Sequence, residues 1–132
     1  MPKLLLILIA LLVVLADQIS KSLAVTFDLP YSLNTGAAFG LFEGNITLLV
    51  IISASLLSFL FLKFRFQDYL SILGVALILG GGVSNLFDRI HSGFVIDFID
   101  PKIWPAFNLA DTAIVFGVLF LIAQLVFPKE AS

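Results

Sequence analysis

The stretch WPAFNLADTAIVFG, residues 104–117, places two polar side chains at the start of a long apolar segment. Asn108 is a residue that helices favour at the N-cap position, and Asp111 follows three positions later, as in a capping box. An acid in the first helical turn also suits the positive end of the helix dipole. The pattern therefore predicts a capped helix that begins near Asn108, and it leaves open whether Asp111 has chemistry of its own.

The composition is that of an integral membrane protein. Of the 132 residues, 61% are hydrophobic and 12% are charged, whereas an ordinary soluble domain is about 45–50% apolar and about 25% charged. The formal charge of −2 and the lack of a basic patch argue against nucleic-acid binding. The absence of cysteine excludes disulfides, a thiol nucleophile and thiolate metal ligands.

Four segments are long and apolar enough to cross a bilayer, which takes about 20 residues. The first is apolar only to Ala16, and its beginning also fits a cleavable signal peptide, because a basic residue precedes a short apolar run. We expect residues 1–132 to form a single membrane-embedded domain. The predicted spans cover approximately residues 4–25, 46–64, 69–87 and 107–127.

The placement of Lys and Arg predicts the orientation of these spans, since both residue types favour the cytoplasmic side. The first connection, about residues 26–45, has neither. The third connection, about residues 88–106, has two basic residues together with three acids. We therefore expect both termini in the cytoplasm and the first and third connections outside. The basic residues that remain on the cytoplasmic side are Lys3, Lys63, Arg65 and Lys129.

Asp17 and Lys21 lie one helical turn apart in the first apolar segment. An ionisable group inside a span costs about 2.5–3.5 kcal/mol on insertion scales, so it needs a partner or a function. The order of acid before base at i and i+4 allows the two groups to neutralise each other. The alternative is that both also orient a substrate in a shared polar cavity.

Asn85, Asp88 and Arg89 fall on one face of the third predicted helix, at i, i+3 and i+4. Arg89 suits the negative end of the helix dipole, whereas Asp88 opposes it and needs a specific partner. Arg89 or Lys21 could supply that partner. The preceding glycines, residues 80–82, either let helices approach closely or loosen this helix.

The first outward connection contains YSLNTGAAFG, residues 31–40. Asn34, Gly36 and Gly40 are residue types that favour turns, so the run is typical of a hairpin turn. The alternative is a wall of small residues whose backbone can bind an extended peptide.

Two carboxylates outside the first three spans are candidates for hydrolytic chemistry. The stretch SGFVIDFIDP, residues 92–101, predicts a strand over residues 94–99, in which Asp97 interrupts the apolar run. The connection from Asp97 to Asp111 is long enough to bring the two side chains together. Paired acids in a low-dielectric setting share a proton, so one can activate water while the other protonates a leaving amine.

Other chemistries find less support in the sequence. His91 is the single histidine and no HExxH motif is present, which argues against a zinc hydrolase. A Ser–Lys pair would require Ser84 to meet Lys21 across helices. A small transporter is the main rival class, since membrane carboxylates also serve transport, and a non-catalytic assembly protein is the third class.

The chain resembles the lipoprotein signal peptidase (signal peptidase II) family, the membrane aspartyl proteases of bacteria. The resemblance rests on five blocks that occur in order: DQISK, NTGAAFG, GGVSNLFDR, GFVIDFID and FNLADTAIVFG. It implies an all-α integral membrane fold with four transmembrane helices, a small extracytoplasmic β-cradle and a short periplasmic helix. Ser84 stands where Gly is often expected, and we expect this difference to alter only packing.

The resemblance implies an endopeptidase that removes the signal peptide from diacylglyceryl-modified prolipoproteins, cutting just before the lipidated cysteine without a metal or cofactor. Asp97 and Asp111 would form the catalytic dyad, and Asn108 would position it. The supporting polar residues would be Asp17, Lys21, Asn34, Gly36, Asn85, Asp88 and Arg89.

The resemblance also implies the surroundings of the enzyme. Its partners would be lipid-modified prolipoprotein signal peptides, membrane lipids and globomycin-type inhibitors. We expect a monomer that crosses the inner (plasma) membrane of a bacterium several times, with the active site near the outer face.

Overall fold

A computed structural model describes residues 2–37, 40–63 and 68–127, with the side chain of residue 63 left out. Four helices correspond to the four predicted spans, and two short strands lie in the two connections predicted to face outward. The elements are α1 (Pro2–Thr26), β1 (Ser32–Asn34), α2 (Ile46–Lys63), α3 (Tyr69–Ser92), β2 (Val95–Asp97) and α4 (Leu109–Val126). The predicted fold class is thus confirmed.

Three of the helices, α1, α3 and α4, are long and apolar enough to cross a membrane. Helix α2 is shorter, and its side chains are described over the apolar residues 46–62. Over its apolar window α3 is 56% buried, whereas α4 is 17% buried. Helix α3 is therefore the central helix, and the others present much of their apolar surface to lipid.

Helix α3 extends beyond the predicted span, which ended at Phe87. It continues to Ser92 and ends at Gly93, whose left-handed backbone (φ 79°) accommodates the C-cap. The charged residues Asp88 and Arg89 lie in the final turns of this helix. Hydropathy falls at Asp88, but the helix persists because both side chains find partners within the protein.

Glycines on α3 allow its neighbours to approach closely. A Cβ atom at Gly80 would lie 2.7 Å from the backbone oxygen of Ala10 on α1, and one at Gly81 would clash with the backbone oxygen of Ala110 on α4. Neither position has room for a side chain. Of the two interpretations of residues 80–82, close packing is therefore the one that the structure shows.

A polar contact ties the start of α3 to the end of α4. Asp68 is the N-cap of α3 and its carboxylate accepts the backbone N–H of Ser71 at 2.7 Å. The other carboxylate oxygen accepts Gln124 Nε2 of α4 at 2.6 Å. Ser71 Oγ donates to Gln124 Oε1 at 2.7 Å. These bonds fix the antiparallel alignment of α3 and α4 at the end opposite to the two strands.

Strands β1 and β2 pair antiparallel, with Ser32 opposite Asp97 and Asn34 opposite Val95. An isolated bridge between Ile99 and Phe107 follows β2, so the strand predicted over residues 94–99 is interrupted after Asp97. This small sheet corresponds to the expected cradle. The expected short periplasmic helix stays a prediction, because residues 38 and 39 lie outside the described part of the first connection.

Helix α1 runs unbroken through the region where a signal-peptide cleavage site would lie, near Ala16. Its residues Asp17 and Lys21 are buried within the protein, and Leu6 belongs to the apolar core that α1 shares with α3. These contacts favour a permanent span over a cleaved leader.

We expect Gly81→Ala to destabilise the protein and Gly82→Ala to be tolerated. The added methyl group at Gly81 would meet the Ala110 backbone oxygen, whereas at Gly82 it would meet Cδ2 of Leu57 at 2.5 Å, the end of a flexible side chain. Overpacking against immobile atoms costs about 1–3 kcal/mol, whereas Ala in place of Gly favours a helix by about 1 kcal/mol. Melting temperatures in detergent measure the difference, and equal losses in both variants would contradict this account.

Candidate active site

Asn108 joins the start of α4 to strand β2. Its Oδ1 accepts the backbone N–H of Asp111 at 2.9 Å, and Asp111 Oδ2 accepts the backbone N–H of Asn108 at 3.2 Å, which completes the predicted capping box. The fully buried Asn108 side chain also donates from Nδ2 to Asp97 Oδ1 at 2.7 Å. One residue therefore caps the helix and contacts both candidate acids.

The carboxyl group of Asp97 is held between two amide donors. Asn34 of the paired strand donates to Oδ2 at 2.9 Å, and Asn108 donates to Oδ1. Asp97 is only 2% exposed, and this burial raises the pKa of Asp97 to about 6 against the opposing effect of the Asn34 amide. The negative charge of Asp111 raises the pKa of Asp97 further. A carboxyl group that titrates near 6 is suited to general acid–base catalysis.

Asp111 lies in the first turn of α4 and faces the same cavity as Asp97. Its Oδ1 accepts Asn85 Nδ2 at 2.8 Å. The two candidate acids thus come from different elements, a strand and a helix start, as the sequence predicted for a chain that folds back between them.

Asp17 of α1 provides a second cap for α4. Its Oδ1 accepts the backbone N–H of Ala110 at 2.8 Å, and its Oδ2 accepts Ser84 Oγ at 2.7 Å. The same carboxylate pairs with Lys21 at 2.5 Å. A negative charge at this position stabilises the N-terminus of α4. The two groups therefore neutralise each other, and Asp17 also caps α4. Neither residue lines the cavity that contains the candidate acids, so a role in orienting a substrate stays a prediction.

The Lys21 ammonium group has a separate acceptor for each of its three N–H bonds. Besides Asp17 it contacts Asp88 Oδ2 at 2.6 Å and Asn85 Oδ1 at 3.0 Å. Lys21 is thus the partner that Asp88 required. Its bond to the Asn85 carbonyl oxygen turns the amide so that the NH₂ group points to Asp111.

Two residues take part in this network although the sequence did not predict it. Gln18 Nε2 donates to Ser84 Oγ at 2.9 Å and to Asp88 Oδ1 at 2.8 Å. Ser84, which we expected to affect only packing, is fully buried and links Gln18 to Asp17. That expectation was wrong, because the Ser84 hydroxyl group donates a hydrogen bond to the Asp17 carboxylate. The Ser84 hydroxyl is engaged with Asp17 and Gln18, so the structure gives no support to a Ser84–Lys21 pair.

The remaining predicted residues shape one wall of the cavity. Asn34 Oδ1 accepts the backbone N–H of Gly36 at 2.9 Å, which forms a local turn, although the preceding strand β1 pairs with β2 and not across a hairpin. Arg89 Nη2 donates to the backbone oxygen of Gly36 at 2.8 Å and so fastens this turn to α3. Arg89 Nε is buried and has no hydrogen-bond partner within the described part of the protein.

The cavity has a volume of about 1200 Å³, and its lining is polar at one end and apolar along one wall. Its polar end contains the candidate acids with Asn34, Asn85 and Arg89, and its apolar wall comes from α4. The apolar wall consists of Ile114, Val115 and Phe116.

His91 does not belong to this site. Its ring stacks on Phe87, with centroids 5.6 Å apart and planes inclined by 4°. Among residues 2–37, 40–63 and 68–127, no group of three or more His, Cys, Asp or Glu side chains is arranged to hold a metal ion. The donor set around Asp97 and Asp111 is one of amides and backbone N–H groups.

The chain matches known proteins over nearly its whole length. A family model described as signal peptidase (SPase) II matches residues 9–127. The chain belongs to the signal peptidase II family. It is 40% identical to the lipoprotein signal peptidase of Moorella thermoacetica, over 92% of this chain and 93% of that protein. It is also 40% identical to the lipoprotein signal peptidase of Syntrophus aciditrophicus, over 95% and 94% of the two chains.

Solved structures agree with this membership of the signal peptidase II family. Two chains described as bacterial membrane enzymes, studied by the in meso method, superpose with TM-scores of 0.81 and 0.78. They are 31% and 28% identical to this chain, and in each case the match covers 96% of this chain and 94% of the other. The protein is therefore a membrane-embedded hydrolase of the aspartic protease type. The transporter and the non-catalytic assembly protein are excluded as its class.

The stability of Asp97→Asn relative to wild type should rise with pH between about 4 and 6. The raised pKa means that the folded protein binds a proton on Asp97 more tightly than the unfolded chain does, whose ordinary value is 3.8. The cost of burying the carboxylate is therefore absent at lower pH and complete above pH 6. Asn cannot ionise and avoids this cost, which is at most about 3 kcal/mol at 1.36 kcal/mol per pKa unit.

Melting temperatures of both proteins in detergent across this pH range provide the measurement. Asp100→Asn is the matched control, because hydrogen bonds from Lys102 lower the pKa of the exposed Asp100, so its titration is complete below this range. A difference between wild type and Asp97→Asn that stays constant with pH would contradict the assignment.

Proposed function

We propose that this peptidase removes the signal peptide from diacylglyceryl-modified prolipoproteins by cutting just before the lipidated cysteine, with Asp97 and Asp111 as its catalytic dyad and without a metal. The observation that carries the proposal is that both acids line one cavity and are joined by Asn108. The names of the relatives, lipoprotein signal peptidases, support the class of substrate.

The chemistry follows from a proton shared by the two acids. One carboxylate removes a proton from a water molecule, which attacks the scissile carbonyl carbon, and the other acid protonates the leaving amine. Burial raises the pKa of Asp97 to about 6, which suits a pair that holds one proton, and either acid can carry that proton. The acid without the proton acts as the base. N–H donors from Asn85 and the Asn108 backbone hold the Asp111 carboxylate in place.

The cavity suits a peptide with acyl chains at the cleavage point. Arg89 lines the polar end of the cavity, where its guanidinium group could bind a substrate carbonyl group. The apolar wall on α4 would lie against the acyl chains, each buried CH₂ of which contributes about 0.8 kcal/mol to membrane binding. Such a substrate diffuses in the plane of the membrane, so we propose that it enters from the lipid beside α4.

The site lies at one end of the helix bundle, where α1 and α3 end and α4 begins. We place this end at the outer face of a bacterial plasma membrane and both termini in the cytoplasm, since the Lys and Arg residues predict this orientation. Residues 1–132 act as one domain, because α1, β1, α3, β2 and the start of α4 all contribute side chains to a single polar cluster, and a monomer suffices. Membrane lipids surround the chain, and globomycin-type inhibitors would occupy the cavity.

We expect Asp97→Asn and Asp111→Asn to abolish cleavage of a synthetic diacylglyceryl-modified lipobox peptide in detergent with EDTA present. Loss of an acid–base group lowers turnover by about 10²–10⁴-fold. Asp100→Asn is the matched control, since this exposed acid is three residues from Asp97 and should leave turnover unchanged. Mass spectrometry of the products locates the cut.

Each part of the proposal has its own contradicting result. Full turnover by either dyad variant would reject the dyad, and loss of wild-type turnover in EDTA would reject the metal-free mechanism. Equal cleavage of a peptide that lacks the diacylglyceryl group would reject the requirement for lipid modification.

A second prediction compares two residues of β1. Asn34 donates to the Asp97 carboxylate at 2.9 Å, whereas Ser32 Oγ contacts only the Asp97 backbone oxygen, at 3.4 Å. A hydrogen bond to a charged group contributes about 1.5–3 kcal/mol, so Asn34→Ala should lower kcat by about 10–100-fold. Ser32→Ala should change kcat little. Steady-state kinetics distinguish them, and equal effects would show that the strand and not the Asn34 amide matters.

A further inference from the structure

The segment between β2 and α4, residues 100–106, forms a closed loop. Two backbone hydrogen bonds close its neck, from Ile99 N to Phe107 O at 2.9 Å and from Phe107 N to Ile99 O at 3.0 Å. Inside the neck, Asp100 accepts the backbone N–H of Lys102 at 2.9 Å and pairs with its Nζ at 2.7 Å. Two prolines, at positions 101 and 105, restrict the backbone further. The loop therefore has a defined shape.

The tip of this loop presents two large apolar side chains side by side. Ile103 is 94% exposed and Trp104 is 60% exposed. Burial of apolar surface is favourable by about 25 cal/mol per Å², so both side chains would gain from leaving water. Trp is also the residue type that prefers the boundary between headgroups and acyl chains, where its ring is buried and its N–H can find a polar partner.

The position of the loop relative to α4 indicates which surroundings it meets. Trp104 lines the same cavity as Val115 and Phe116, which are more than half exposed on the apolar surface of α4. Val115 lies six residues into this helix, about 9 Å below its start at 1.5 Å per residue. A tip that shares a cavity with these side chains lies beside the apolar wall of α4, close to the start of this helix.

We propose that loop 100–106 is an interfacial membrane anchor, with Ile103 and Trp104 inserted between the headgroups and the first acyl carbons of the leaflet next to the cavity. The ion pair of Asp100 and Lys102 makes the loop internally neutral. The anchor is therefore held by apolar insertion and does not require anionic lipid.

The anchor has a consequence for the candidate dyad. Asp97 stands two residues before the neck of the loop and Asn108 stands directly after it. A tip fixed at the membrane boundary thus fixes the depth at which Asp97 and Asp111 lie. This consequence rests on the proposed function, whereas the insertion of the tip rests only on the geometry of the loop.

Trp104 is the only tryptophan of the chain, so its fluorescence reports on the loop directly. The full chain is reconstituted in phosphatidylcholine vesicles that contain lipids brominated either near the headgroup or deep in the acyl chain, and acrylamide is added to the water. We expect strong quenching by the shallow bromines, weaker quenching by the deep bromines and little quenching by acrylamide. Adding anionic phosphatidylglycerol should leave this pattern unchanged.

Ile103→Asp should cause a several-fold loss of quenching by the shallow bromines and a gain in quenching by acrylamide, because a charged tip leaves the boundary. Lys102→Gln is the matched control within the loop and should retain the wild-type pattern. Since Ile103 is almost fully exposed, its replacement should not change the melting temperature, which is measured alongside.

Three results would overturn the anchor. Strong acrylamide quenching with little lipid quenching in the wild type would place the tip in water. Protection from both quenchers would place the indole against the protein, over the cavity. Lipid quenching that appears only with phosphatidylglycerol would show electrostatic attachment. The two proposals fail separately. Lipid quenching in an Asp97→Asn variant that still cleaves its substrate would reject the dyad and keep the anchor, whereas strong acrylamide quenching in an active wild type would reject the anchor and keep the dyad.

Discussion

The buried ammonium group of Lys21 is the point at which three helices are joined. A charge in the low-dielectric interior of a membrane protein must be paired, and its hydrogen bonds must be satisfied. Lys21 meets this requirement through Asp17 on its own helix and through Asp88 and Asn85 on α3. Asp17 then holds the backbone of Ala110 on α4. Removing one partner of a buried ion pair costs about 3–5 kcal/mol, so this arrangement defines one geometry for the bundle end.

Lys21 does not contact the candidate acids, but it influences their positions through the amide side chain of Asn85. The Asn85 amide can either donate to Asp111 or present its oxygen to it, and Lys21 permits only the first orientation because it occupies the oxygen. Asn108 is restricted in the same manner, since its oxygen accepts the Asp111 backbone N–H and its NH₂ group is left for Asp97. Four hydrogen bonds thus fix the orientation of the Asn85 and Asn108 amide groups, so neither amide can flip.

The charge balance of this cluster favours a shared proton. It contains four carboxyl groups, of Asp17, Asp88, Asp97 and Asp111, and two cations, of Lys21 and Arg89. Full ionisation would leave two uncompensated negative charges in surroundings of low dielectric, which is costly. Lys21 lies in direct contact with Asp17 and Asp88, so the excess falls on the pair that faces the cavity. Under the proposed mechanism, this imbalance supplies the acid for hydrolysis.

Local spacing is the part of this arrangement that the sequence could reveal. The capping box of Asn108 and Asp111 and the pairing of Asp17 with Lys21 lie within one helical turn, and both were predicted correctly. The roles of Gln18 and Ser84 depend on how α1 and α3 are rotated toward each other, which periodicity alone does not define. The second cap of α4 spans 93 residues and had no local signal.

The two candidate acids lie on a strand and at a helix start, and this division follows from what a membrane can accept. An acid within the lipid-facing length of a span would have no donors, because the helix uses its own backbone N–H groups. The first turn of a helix leaves its N–H groups free, and a strand outside the span carries a side chain next to them. The Asp111 carboxylate accepts the backbone N–H of Asn108 at the start of α4, and the Asp97 carboxylate on β2 accepts from the Asn108 side chain. The candidate pair therefore lies where α4 begins, and the return of the chain through residues 98–107 brings the second acid to that place.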